Sequence, residues 1–304
     1  MQFRTVDAGG PVHLADFGGD GPAIVLLHGL GGSHANWLAV GPALARHARV
    51  LAPDFPGFGR TAPAGRPSTA LSQRETLDRL LEAVVGGPAI LVGNSMGGLV
   101  AMMEAVASPS RVAGLVLLAP AQPRPSGHRV DPVVLTTFLA YSIPGVGEWF
   151  LRRAAARLGP QGTVREMLRL VCVDPSRVPP DVRAAHEALA AERLAAMPWG
   201  HAALIEAARS LLHALRRRAR YAEMVRAIAA PTAVIHGQLD RLVPVAASRA
   251  LVGLRPDFSL EIFEGIGHVP QLEAPDRVVA SLLRWVGGPG RLAWDAATRT
   301  KRGR

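Results

Sequence analysis

Ala89-Ile-Leu-Val-Gly-Asn-Ser-Met-Gly-Gly98, continuing into Leu99-Val-Ala-Met-Met-Glu104, decides how the rest of this 304-residue chain is read. Ala89 to Val92 is a short apolar run with the character of a buried parallel strand. Gly93-Asn94-Ser95-Met96-Gly97 fits the pattern G-x-S-x-G, and the residues after it read as a helix. A chain that reverses this sharply between strand and helix leaves no space for a Cβ at the flanking positions, so glycine stands there. The serine is lifted, strained and exposed at the start of the helix. Ser95 is therefore a candidate nucleophile. The N–H of Met96 points into the same space and is a candidate donor to a developing oxyanion.

Upstream, Gln2 to Val6 and Val12 to Phe17 read as an antiparallel hairpin. Ala23-Ile-Val-Leu-Leu27 reads as a central strand that stops in His28-Gly-Leu-Gly-Gly-Ser33. A strand ending in such a loop presents free backbone amides, and the N–H of Leu30 is the second oxyanion candidate. His28 is read as a brace for that loop. A helix is expected from Asn36 to about His47, and another over 72–84 with Leu77, Leu80 and Leu81 on one face. Arg49-Val-Leu-Ala-Pro-Asp54 reads as a strand, with Asp54 binding backbone N–H groups ahead of the turn that follows.

Val112 to Pro120 reads as a further buried strand, after which the alternation stops. From Ala121 to about Ala229, Pro-rich joints separate helical segments near 131–142, 146–158, 161–173, 179–196 and 200–227. Strand character resumes at Pro231-Thr-Ala-Val-Ile-His236, leads through Gly-Gln-Leu to Asp240, and returns at Phe258 to Phe263 before Gly265-Ile-Gly-His268. An amphipathic helix is expected from Pro275 to Val286. The expected organisation is a core of residues 1–120 and 230–290, a helical lid over 121–229 and a flexible basic tail over 291–304. The fold class is α/β, a mostly parallel sheet with helices on both faces. Ligands of such sheets lie beyond the carboxyl ends of the strands. Ser95, Asp240 and His268 fall at such ends, in that order. Within the lid, Val133 to Ile143 is unusually apolar, and Phe138 and Leu139 are candidates to line a substrate pocket above Ser95. Asp131 precedes Pro132 and reads as a helix N-cap rather than a catalytic acid.

Composition bounds the rest. The chain is 49% hydrophobic and 19% charged, as in globular proteins. It has one cysteine, Cys172, so an internal disulfide is excluded, which suits a reducing, cytoplasmic setting. The opening residues have no apolar core of a signal peptide, and no apolar run approaches the ~20 residues of a spanning helix. Neither export nor stable membrane insertion is expected. The net charge of +10 comes from scattered arginines, with clusters only at 216–220 and in the last six residues. No zinc spacing, phosphate loop or aromatic RNA-binding motif accompanies them, so a nucleic-acid partner is not expected. His13, His34, His47, His128, His186, His201 and His213 lack ligand spacing, and neither metal nor cofactor is expected.

With these pieces assembled, the sequence resembles the α/β-hydrolase superfamily from about residue 1 to 290. The matching motifs are His28-Gly-Leu-Gly31, Asp54-Phe-Pro-Gly-Phe-Gly59, Gly93-Asn-Ser-Met-Gly-Gly98, His236-Gly-Gln-Leu-Asp240 and Gly267-His-Val-Pro270. The resemblance implies a serine esterase or lipase-like enzyme with a helical lid. Ser95 would be its nucleophile, His268 its base, Asp240 the acid that fixes the histidine tautomer, and Leu30 and Met96 its oxyanion hole. The substrate expected is a small apolar carboxylic ester. The elbow is also similar to that of meta-cleavage-product hydrolases, which cut carbon–carbon bonds, although many of those carry tryptophan where this chain has Val269. A non-catalytic ligand-binding member of the fold is the remaining alternative. Glu273 and Arg241, close to the site in sequence, read as a helix-terminus residue and a loop ion pair.

Overall fold

The computed structural model describes residues 1–128, 131–143 and 145–299. Eight strands form one sheet: β1 (Gln2–Asp7), β2 (Pro11–Gly18), β3 (Ala23–Leu27), β4 (Arg49–Pro53), β5 (Ala89–Asn94), β6 (Val112–Leu118), β7 (Thr232–Gly237) and β8 (Ser259–Phe263). Their order across the sheet is β1-β2-β4-β3-β5-β6-β7-β8. β2 is antiparallel to both β1 and β4, and every other neighbouring pair is parallel. β3, β5 and β6 are buried along their whole length, which is why they read as unbroken apolar runs.

The two faces of the sheet follow the two-residue period of a strand. Val25, Leu27, Leu91, Leu115 and Leu117 face one layer, formed by α2 (Ala70–Leu80), α3 (Met96–Ala107), α8 (Arg218–Ala227) and α9 (Val245–Leu254). Ile24, Leu26, Ile90, Val92 and Val116 face the other, formed by α1 (Gly41–Leu44), α11 (Pro275–Gly287) and α12 (Arg291–Arg299).

Between β6 and β7 the chain runs through α4 (Pro132–Ser142), α5 (Val146–Val171), α6 (Pro180–Ala196) and α7 (Gly200–Arg216) before reaching α8. The two segments expected at 146–158 and 161–173 are the halves of α5, broken at Gly159 (φ 64°, ψ −177°) ahead of Pro160. The single segment expected over 200–227 is two helices that meet at Arg217. Val225 and Tyr221 of α8 are buried in the core layer, so this last helix packs as part of the sheet's covering.

Two expectations need correction. The helix from Asn36 to His47 is instead a 3-10 turn (His34–Trp37) followed by the short α1. Pro42 supplies no N–H, and Gly41 is pressed so close to Phe17 that an added Cβ would lie 2.5 Å from its ring. The tail expected to be flexible from Arg291 is helical to Arg299, and Ala293 and Ala297 are 1% and 5% exposed. Gly114 of β6 makes the space, because a Cβ there would meet Ala293 at 2.7 Å and Trp285 at 2.8 Å. Residues 300–304 lie outside the described residues. Among the described residues no helix is long and apolar enough to cross a membrane.

Candidate active site

The site is built at the carboxyl ends of β3, β5, β7 and β8. Ser95 follows β5 directly and has φ 53°, ψ −116°, a region that side chains other than glycine rarely adopt. Four bonds over-determine the strained backbone. Ser95 N–H donates to Leu118 O at 3.1 Å, and Ser95 O accepts from Gly98 at 3.0 Å, Leu99 at 3.2 Å and Ala121 at 2.9 Å. The glycines are sterically required: a Cβ on Gly93 would lie 2.5 Å from Gly97 O, and one on Gly97 would lie 2.2 Å from Leu27 O. Met96 opens α3, where the first amides have no partner within the helix.

The loop after β3 approaches this elbow, since a Cβ on Gly29 would stand 3.2 Å from Ser95 Cβ. His28 holds the loop. Its Nε2 accepts from Phe55 N–H at 3.0 Å, so the ring proton is on Nδ1 and donates to Gly29 O at 2.8 Å. Burial is the main cause that lowers the His28 pKa, to about 4, and keeps the ring neutral. His28 is thus the brace the sequence suggested, and Leu30 rides on the braced loop.

Asp240 and His268 are joined by a 2.7 Å hydrogen bond from His268 Nδ1 to Asp240 Oδ2, and both are buried. The other carboxylate oxygen accepts from the amides of Leu242 at 2.8 Å and Val243 at 2.9 Å. A second histidine, His236, brings Nε2 to 3.1 Å from Asp240 Oδ2 and Nδ1 to 2.7 Å from Ser248 Oγ. Burial pushes the Asp240 pKa up, but the charge of His268 and the hydrogen bonds from both histidines outweigh it and hold the carboxyl well below its usual range. Asn94 links the two halves of the site. Its Nδ2 donates to Leu118 O at 3.0 Å and to His268 O at 3.1 Å, so the residue before Ser95 fastens the backbone of His268 to the elbow.

Neighbouring acids have other partners. Glu273 accepts from the amides of Gly267 at 2.7 Å, Val173 at 3.0 Å and Asp174 at 3.0 Å, tying the histidine loop to the segment after α5. Asp131 caps α4 through Val133 N–H at 2.9 Å and pairs with Arg241 at 2.8 Å. Burial pushes the Cys172 thiol pKa up.

The inserted helices touch the site at several points. His268 N–H donates to Val171 O at 2.7 Å, and Arg193 of α6 donates from Nη1 to Gly31 O at 3.1 Å. Phe138 packs with Leu30 against Tyr141, Ile205 and Ala208. Leu139, the other pocket candidate, is 54% exposed and is not brought into this cluster. A cleft of about 750 Å³ opens along α7, lined in part by Trp199, Glu206, Arg209 and His213, but none of Ser95, Asp240 and His268 lines it. Sequence reasoning missed His236, Asn94 and Arg193. The first two lay inside quoted motifs, and their spacing from Asp240 and Ser95 was signal enough to find them. Arg193 carried no signal.

Known proteins match this chain along most of its length. The chain is 31% identical to a 2-hydroxy-6-oxo-2,4-heptadienoate hydrolase of Pseudomonas putida, over 89% of this chain and 91% of that one. It is 28% identical to a pimeloyl-[acyl-carrier protein] methyl ester esterase of Aeromonas hydrophila, over 88% and 97%. It is 32% identical to the dihydrolipoyllysine-residue acetyltransferase component of an acetoin cleaving system of Pseudomonas putida, over 89% of this chain but only 65% of that relative. A solved meta-cleavage product hydrolase variant from Pseudomonas fluorescens superposes with a TM-score of 0.70 at 24% identity, over 93% and 97% of the two chains. The model of the alpha/beta hydrolase fold family matches residues 22–275, and the chain belongs to that family.

Proposed function

We propose that this hydrolase cleaves a small apolar carboxylic ester through an acyl-enzyme on Ser95. The carrying observation is the 2.7 Å bond between His268 Nδ1 and Asp240 Oδ2, on a loop that Asn94 fastens to the strained serine elbow. Asp240 holds the proton on Nδ1, which leaves Nε2 as the base. Ser95 Oγ attacks the ester carbonyl as His268 takes its proton. The amides of Leu30 and Met96 stabilise the tetrahedral oxyanion, an interaction whose loss typically costs ~3–4 kcal/mol in the transition state. The oxyanion collapses, and His268 protonates the departing alkoxide. Water, deprotonated by the same histidine, then releases the acid. The methyl ester esterase relative supports this reading. The helices from α4 to α7 act as a lid, and Phe138, packed like Leu30 against the cluster of Tyr141, Ile205 and Ala208, contributes to the acyl pocket.

One observation favours a second reading, carbon–carbon hydrolysis of a dienoate. Such a substrate carries a carboxylate and calls for a positioned cation. Arg165 and Arg169 of α5 are exposed, and Arg169 is paired with Glu166 at 2.6 Å. Arg193 instead is partly buried against the loop that carries Leu30. The dienoate hydrolase relative supports this reading. The test compares purified enzyme on p-nitrophenyl esters and on a 2-hydroxy-6-oxo-dienoate. The ester reading expects the larger kcat/KM on an ester. A tenfold or greater preference for the dienoate, ~1.4 kcal/mol in the transition state, overturns it.

A further inference from the structure

We propose that His13, His34 and Asp54 form a binding site for one divalent transition-metal ion of the zinc type, separate from the hydrolytic site. The three are far apart in sequence and the fold brings them together. β2 pairs with β4 so that Leu14 faces Pro53, and Asp54 N–H donates to His13 O at 2.9 Å. His34 opens the 3-10 turn and donates its backbone N–H to Asp54 Oδ1 at 2.6 Å. One ligand atom from each of the three residues lies within 4.8 Å of the other two.

The donors are held as metal ligands are held. Asp54 is 0% exposed, and its second oxygen accepts from Arg60 N–H at 2.8 Å. Gly59 packs so tightly under the carboxyl that a Cβ there would lie 2.1 Å from it. These backbone contacts fix the carboxylate as outer-shell partners fix a ligand. His34 Nδ1 stands 2.9 Å from Asp54 Oδ2, a separation close to one edge of a tetrahedral site, about 3.4 Å for zinc. His13 Nε2 is buried and has no hydrogen-bond partner among the described residues. A plain His34–Asp54 pair leaves that nitrogen unsatisfied, which is costly, and a metal ion uses it. Phe3 covers the cluster, its ring 5.1 Å from both imidazoles. Glu192 of α6, paired with Arg60 through bonds of 2.8 and 2.7 Å, adds a carboxylate nearby, its charge balanced by that guanidinium.

Two imidazoles and one carboxylate suit zinc or cobalt rather than magnesium or calcium, which prefer oxygen-only shells. On binding, the metal replaces the His34 Nδ1 proton that faces Asp54, and the neutral ring carries its proton on Nε2. The His13 ring moves inward to reach bonding distance. Water fills the fourth position. The ion then clamps β2, the 3-10 turn and the end of β4 together.

The experiment uses the full chain, stripped with a chelator and titrated with Co²⁺ and then Zn²⁺. The expected result is one equivalent of Co²⁺ with the visible bands of a four-coordinate ion, displaced by Zn²⁺, and a higher Tm with zinc than without. His13→Ala should weaken binding more than about tenfold, while His47→Ala, at an exposed histidine, should leave it unchanged. Circular dichroism of the stripped variants shows whether His13→Ala still folds. Should it not, His13→Gln, which keeps a polar side chain of similar reach, replaces it. Zinc affinity weaker than about 0.1 mM, or binding indifferent to the loss of His13, overturns the proposal.

Discussion

The strand-end loops and the inserted helices hold their residues in place by different means. Around Ser95, position is set by backbone hydrogen bonds and by glycines whose neighbours leave no room for a side chain. The insert reaches the same region mostly through side chains, Arg193 to Gly31 O, Arg60 to Glu192 and Arg241 to Asp131, beside a backbone bond from His268 N–H to Val171 O. It also leaves Val133, Leu135, Leu139, Ile143, Trp149 and Phe150 exposed, whereas the large side chains of the central strands are buried. Backbone-defined geometry tolerates almost no substitution, and side-chain contacts can be exchanged one at a time. The chemistry proposed for the loops and the selectivity proposed for the insert can therefore change independently.

The largest test of that division removes the oxygen proposed to attack. Ser95→Ala should leave Tm unchanged and abolish nearly all hydrolysis, because only the oxyanion donors and binding remain. Retention of more than about a tenth of wild-type kcat in a purified sample would remove Ser95 from the mechanism and place the chemistry elsewhere.

Next in size is the acid. Asp240→Asn should lower kcat by about four orders of magnitude, since the amide cannot hold the histidine tautomer. Asp131→Asn should leave kcat nearly unchanged, because Asp131 caps α4 and pairs with Arg241 in the insert. Kinetics on the two variants separate a strand-end acid from one on the insert, and the reverse result exchanges their roles. Asp240 also links stability to pH. Its carboxyl is held below the usual range in the folded state, so the unfolded state binds the proton more tightly. The stability it contributes is present above the ordinary aspartate range and is lost as the pH falls. Acid denaturation of Asp240→Asn should lack that component.

The same contrast explains what could be read from the sequence. The elbow was legible because Gly93 and Gly97 admit no alternative, and the strands because burial on both faces forces apolar runs. Asp240 and His268 were legible by their place after strands. The cluster of His13, His34 and Asp54 was not, because its members come from three separate segments that only the folded chain brings together. Arg193 was hidden for a similar reason, since nothing local distinguishes it from the other insert arginines. α12 was missed because Gly287-Gly-Pro-Gly290 resembles a terminus, and its buried positions are the small residues Ala293 and Ala297 while the large Leu292 is 72% exposed.

Selectivity should respond to the insert by smaller factors. Phe138 shares a cluster with Leu30, whereas Leu139 is exposed one position later. Phe138→Ser should raise KM several-fold, most for longer acyl chains, with a lesser effect on kcat. Leu139→Ser should change neither constant appreciably. Steady-state kinetics on a series of p-nitrophenyl esters checks both, and equal sensitivity at all chain lengths would reduce Phe138 to a packing residue.

The smallest effect on turnover comes from a place where the core breaks its own rule. Glu104 of α3 is fully buried, and neither of its carboxyl oxygens accepts a hydrogen bond among the described residues. Its nearest cation, Arg74, stands 3.6 Å away. Burial, reinforced by the neighbouring Asp78 carboxylate, raises its pKa to about 7, against the partial opposition of Arg74. The folded protein therefore binds this proton more tightly than the unfolded chain does. Between the ordinary glutamate pKa and about 7 the folded state carries the extra proton, so stability falls as pH rises through that window. The contribution is complete below the ordinary glutamate pKa and is lost once the carboxyl ionises in the fold. Glutamine keeps the shape of the protonated acid and cannot ionise. Glu104→Gln should thus match the wild-type Tm at about pH 4 and exceed it at about pH 8, the gap widening steadily between them. Turnover should be unaffected, because α3 carries this residue two turns beyond the elbow. Thermal melts of both proteins across that range decide the matter: parallel curves would mean that Glu104 titrates normally and that the core meets its charges as carefully as its volumes.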